Sequence, residues 1–144
     1  MFLLFAAAAF LVPPSIGWAQ GAVALKVQVI RAADQPGGVD PRLQALVRDL
    51  QKGGFKFSMY KLLDTPQGSV GLNQTWRTAL PENRSLEVVP TAIQSGQHDL
   101  TVRVLGPTGQ GLLNTKVRLR SAGAPVVVGV PLQPGVLILA ISAN

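Results

Sequence analysis

The chain has 144 residues, enough for one domain behind a short leader and too few for two ordinary ones. It contains no cysteine, which excludes disulfides, thiolate metal sites, a cysteine nucleophile and lipid attachment through an N-terminal cysteine. Thirteen Lys and Arg against seven Asp and Glu leave a net charge of +6, which favours an anionic neighbour and is silent about fold.

The first element in chain order is a leader. Residues 1–12 (MFLLFAAAAFLV) are uncharged and apolar, and Pro13, Pro14, Ser15 and Gly17 break the run. Gly17-Trp18-Ala19 sets small residues at the two positions that a signal peptidase reads. A signal peptide over 1–19 is therefore expected, with a single exported domain over 20–144. The start lacks the usual positive charge, so an uncleaved anchor is the competing reading. Spanning a bilayer takes about 20 mostly apolar residues, and the prolines interrupt this run earlier. The expected location is periplasmic or extracellular. A cysteine-free exported domain reads as bacterial, because small eukaryotic secreted domains usually rely on disulfides.

The body opens with Leu25 to Ala32 (LKVQVIRA), which alternates apolar and polar residues as a half-buried strand does. After the loop Asp34 to Gly38, Asp40-Pro41 is a helix start: a side-chain cap followed by proline at the first turn. Leu43, Leu46, Val47 and Leu50 then fall on one stripe, and Gly53-Gly54 stops the helix, predicted over 41–52. Phe55 to Leu63 alternates again, with Phe55, Phe57 and Met59 on one side and Tyr60 on the other. The 22 residues between these strands are long enough for a crossover, which leaves a parallel pairing open.

Beyond this point the helical period disappears. Strands are predicted at 72–80, 85–93, 98–105, 112–120, 125–130 and 136–142, separated by clusters of turn residues. Gly106 to Gly111 is read as a hairpin turn. The last two strands are apolar on both faces, so they are either central and covered or part of an interface. The expected fold class is α+β: a mostly antiparallel sheet or sandwich with one amphipathic helix after the first strand.

No catalytic constellation is visible. His98 and Asp99 are strand neighbours and point to opposite faces. The carboxylates Asp34, Asp40, Asp49, Asp64, Glu82, Glu87 and Asp99 are scattered singly. They nominate neither a glycosidase pair nor a calcium loop. No phosphate-cradling glycine loop or nucleophile elbow occurs. Tyr60 and Trp76 are weighed as the lining of a ligand groove, although the aromatics Phe55, Phe57, Tyr60 and Trp76 read mainly as core. Lys116, Arg118 and Arg120 alternate on one strand and share a face that Arg103 on the neighbouring strand can join. These four form the candidate surface for an anionic partner.

The segments Val39-Asp40-Pro41-Arg42-Leu43, Gly54-Phe55-Lys56-Phe57, Leu62-Leu63, Val128-Gly129 and Leu137 to Ile141 resemble a loose group of small exported bacterial β-rich proteins of unassigned function. The resemblance spans most of the body, rests on structural motifs and implies no substrate. The reading that follows is a non-enzymatic periplasmic binding or assembly module, an accessory of a cell-envelope complex. The alternatives are an envelope carbohydrate- or lipid-binding module using the basic strand face, and a hydrolase of unknown class. No cofactor, metal or nucleic acid is expected. The expected partner is an envelope protein or an anionic polysaccharide or lipid, an oligomer is allowed, and any membrane attachment runs through the leader.

Overall fold

A computed structural model describes residues 22–143, so the expected leader over 1–19 lies outside the described residues. Strand β1 (Ala22–Ala33) leads through a 3-10 turn (Pro41–Leu43) into α1 (Gln44–Lys52), and eight strands follow. They are β2 (Met59–Asp64), β3 (Gln67–Gly71), β4 (Trp76–Leu80), β5 (Arg84–Gln94), β6 (Gln97–Leu105), β7 (Gly111–Arg120), β8 (Val126–Pro131) and β9 (Val136–Ala143). One sheet runs β2-β1-β9-β8, with β3 sharing the β1 edge; the other runs β4-β5-β6-β7. Every strand pairing is antiparallel.

The two sheets face each other across the main core. Val23, Leu25, Val27 and Val29 of β1 and Leu137, Leu139 and Ile141 of β9 supply one side. Leu86 and Val88 of β5, with Leu100, Val102 and Val104 of β6, supply the other. Within these strands alternate residues point inward, as a two-residue period requires. The outer face of the first sheet carries a second core. There Ile30, Ala32, Tyr60 and Ile138 meet Leu43, Val47 and Leu50 from the helical segment. The result is three layers, helix on sheet on sheet, with β9 and the Ile30–Ala33 end of β1 buried on both faces.

The helix starts as the sequence dictates. The Asp40 carboxylate accepts the Arg42 backbone N–H at 3.0 Å, and Pro41 occupies the first turn, where a missing N–H costs nothing. The end is closed by Gly53 N–H donating to the Asp49 and Leu50 carbonyls, and by Phe55 N–H returning to the Leu50 carbonyl. Leu43, Val47 and Leu50 are the buried positions of the stripe. The first turn is 3-10, so the regular helix covers 44–52 of the expected 41–52.

Three expectations are corrected. β1 and β2 are antiparallel, with Ala33 opposite Met59. A nine-residue helix advances about 13 Å, whereas a strand as long as β1 runs about 40 Å. The excursion therefore returns the chain to the end of β1 it left. Second, β2 begins at Met59, not Phe55. Phe55 and Phe57 pack beside Tyr60 in the helix-side core, and the Tyr60 hydroxyl donates to the Phe55 carbonyl at 2.6 Å. Third, the strand predicted over 72–80 is confined to Trp76–Leu80. Asn73, at φ +60°, turns the chain between β4 and the preceding strand β3, which the sequence reading omits.

The later strands match their expected positions within a residue or two, and Gly106 to Gln110 closes the β6–β7 hairpin. Of the last two strands, β9 is central and β8 is an edge.

Candidate functional site

The four candidate cations share the outer face of the second sheet. In the β6–β7 register Asp99 lies opposite Arg118, Thr101 opposite Lys116, Arg103 opposite Asn114 and Gln97 opposite Arg120. Odd positions on β6 and even positions on β7 therefore point away from the core. In the β5–β6 and β4–β5 registers Glu87 stands between Arg103 and Arg77.

Two of the four cations are neutralised on this face. The Glu87 carboxylate, 5 % exposed, receives Arg77 on one side and Arg103 at 3.3 Å on the other. Arg118 Nε donates to Asp99 at 2.8 Å, and that hydrogen bond holds the Asp99 carboxyl below the usual carboxylate range. Among the described residues, Lys116 and Arg120 have no acidic partner. A shallow hollow of about 350 Å³ lies beside Lys116 and Arg118, bordered by Thr91 and Asp99. Thr91 stands at the irregularity between Pro90 and Ala92, where β5 and β6 lose register. Arg118 thus faces any incoming anion with its Asp99 partner already in place.

His98 is buried on the core side, opposite Asp99 on the outer side, as alternation requires. Its Nε2 lies 3.0 Å from the Ser121 hydroxyl, while Nδ1 is buried without a partner among the described residues. Asp99 is committed to Arg118 and does not orient the ring. Asp40 and Asp34 are likewise engaged. Asp40 caps the helical segment and binds the Arg42 guanidinium at 2.7 Å, which holds its carboxyl well below the usual range. Asp34 accepts the Ser58 backbone N–H at 3.2 Å. Among the described residues no three His, Cys, Asp or Glu side chains gather. Tyr60 and Trp76 do not form a common groove. Tyr60 belongs to the helix-side core and Trp76 to the core between the sheets, so the first sheet separates them.

The surface that sequence reasoning did not place is the β8 edge. Among the described residues β8 pairs with β9 on one side only. Val126 and Val128 lean on the core between the sheets, and Val130 is part of it. Val127, half-buried, packs against the helix-side core. On that side the Phe55 ring stands over Gly129, so close that an added Cβ would lie 3.3 Å from it. A mostly apolar hollow of about 380 Å³ adjoins this edge, lined by Leu46, Leu50, Gly53, Phe55, Ala124, Pro125 and Val127, with Asp49 as its one charged residue.

The other edges carry polar or charged side chains. β7 has Lys116, Arg118 and Arg120; β4 has Arg77; β2 has Lys61 and Asp64; β3 has Gln67 and Ser69. Natural sheets place charges on exposed edges to prevent unwanted pairing. β8 (VVVGVP) has none. The only sequence signal for this surface was the two-faced apolar character of VVVGV, which an edge and a central strand share.

No family model, curated protein or solved structure matches the chain. No helix among the described residues is long and apolar enough to cross a membrane.

Proposed function

We propose that this chain is a non-enzymatic binding or assembly module of the exported compartment, an accessory part of a cell-envelope complex, and that β8 is its working edge. The observation that carries the reading is the open, uncharged strand Val126–Pro131 beside an apolar hollow. Such an edge offers a row of main-chain groups for strand addition, and the flanking hollow gives side-chain selectivity. Gentle extraction from the envelope is expected to release the protein in a complex larger than a single chain. Val127→Lys is expected to return it to monomer mass. A wild-type protein of monomer mass in that extract refutes the reading.

A second reading, a module for anionic carbohydrate or lipid, draws its support from Lys116 at the hollow of the second sheet and from Arg120 further along the same strand face. Arg103 and Arg118 contribute less because Glu87 and Asp99 already neutralise them. Lys116→Glu with Arg120→Glu then abolishes binding to anionic vesicles at low salt. Equal binding by wild type and variant removes this surface from consideration.

A further inference from the structure

Resting on the assembly reading, we propose that the occupant of the β8 edge is a second copy of the same chain. The two β8 strands pair antiparallel about a two-fold axis through Val128, joining the two β2-β1-β9-β8 sheets into one.

The register follows from the strand itself. Residues 125–131 read Pro-Val-Val-Val-Gly-Val-Pro, with prolines at equal distances from Val128. Proline cannot donate to a ladder, so the two prolines bound a pairable stretch of five residues centred on Val128. A two-fold axis perpendicular to the sheet reverses the strand direction and keeps each face on its own side. Only pairings that match core-side with core-side residues are then allowed, because a one-residue slip sends every side chain to the wrong face. The register centred on Val128 satisfies this. Val126 meets Val130, both on the side of the core between the sheets, and Val128 meets its own copy. On the helix side Val127 meets Gly129, the one position in the strand without a side chain. Each Val127 is thereby set beside the Phe55 ring that stands over Gly129 of the second copy.

Charge selects the same edge. The chain carries +6, so two copies repel, and side-by-side contact along β7 would oppose Lys116, Arg118 and Arg120 to their own kind. β8 is the described edge whose side chains are all apolar. At its end Pro131 is exposed on the helix side, and in this register it is carried to Pro125 of the second copy, at the mouth of the apolar hollow. Arg84 donates to the Pro131 carbonyl at 2.7 Å, which limits the free stretch to Val126–Val130.

A cysteine scan reads the register directly, because the chain has no cysteine of its own. Residues directly opposite in an antiparallel pair have Cα atoms about 4.5–5.5 Å apart, within disulfide range. In the purified protein, oxidation is expected to crosslink Val128→Cys into a dimer. Val126→Cys and Val130→Cys each stay uncrosslinked alone, and a chain carrying both crosslinks. By sedimentation, the wild type passes from dimer to monomer on dilution. Val127→Lys raises the dissociation constant at least about 100-fold by burying like charges at the seam. Should that variant fail to fold, the nearly isosteric cysteines decide alone.

Wild type that is monomeric throughout the dilution series, or crosslinking at Val126 or Val130 without Val128, overturns the proposal. A monomer in isolation whose larger envelope complex still depends on Val127 overturns self-pairing and leaves the assembly reading standing. A monomer in both settings overturns both.

Discussion

Replacing Tyr60 with Phe removes one oxygen from the layer that supports the β8 edge. The Tyr60 ring is 1 % exposed, and its hydroxyl donates to the Phe55 carbonyl at 2.6 Å and accepts the Phe57 N–H at 3.1 Å. These bonds hold a stretch that is not part of any strand and that carries Phe55 over Gly129. The substitution changes almost no packing volume and leaves one carbonyl and one N–H without their partner. An orphaned buried polar group costs about 1–3 kcal/mol. Phe55 and Phe57 are half-buried, so water reaches part of the gap, and about 2 kcal/mol in total is expected. With a urea slope near 2 kcal/mol/M, the unfolding midpoint falls by about 1 M at unchanged slope. Hydrogen exchange at the Phe57 amide quickens at the same time. A midpoint within about 0.2 M of wild type, below about 0.5 kcal/mol, refutes the claim that this hydroxyl fixes the aromatic layer.

Asp40 gives a pH prediction with a definite sign. Its folded carboxyl lies below the ordinary value of 3.8 because the Arg42 side chain and backbone donate to it. Its contribution is therefore present at neutral pH and lost as pH falls below about 4 toward the depressed folded value. Asp40→Asn, which keeps the cap but not the charge, is less stable than wild type at pH 7, and the gap narrows in acid; a gap as wide at pH 2 as at pH 7 contradicts the assignment. Glu87→Gln costs only about 1 kcal/mol in chemical unfolding, because both arginine partners are largely exposed, and the loss shrinks in high salt. Gly135, at φ +103°, lies against the Ala32 carbonyl and would place a Cβ 2.8 Å from the Ala33 Cβ. Gly135→Ala is expected to cost at least about 3 kcal/mol, and a near-neutral thermal melt would show that the turn has room.

Legibility in the sequence followed the range of the interaction. The helix was readable because cap, proline, stripe and terminal glycines are all local to residues 40–54. Strands β5 to β9 were readable because short alternating or apolar runs alternate with turn chemistry. β3 was not: Gln67–Gly71 has Val70 as its one large apolar residue and is a strand because β1 pairs with it. The alternation Phe55-Lys56-Phe57-Ser58 mimicked a strand, although its aromatics are turned inward by the helix and the Tyr60 hydroxyl.

The same division applies to the surfaces. A two-residue period was enough to put Lys116, Arg118 and Arg120 on one face. The acids that offset Arg103 and Arg118 sit across strands, and only the register shows them. Whether VVVGV is a central strand or an edge depends on the strand order, which local pattern does not encode.

The most direct measurement of the central claim is hydrogen exchange along β8 as a function of protein concentration. Within Val126–Val130, the amides that face away from β9 are expected to exchange readily in dilute protein and to become protected as concentration rises, while those of the charged β7 edge, Gly111–Arg120, do not change. Uniform protection of β8 at every dilution in a protein of monomer mass, or concentration-dependent protection at β7, contradicts it.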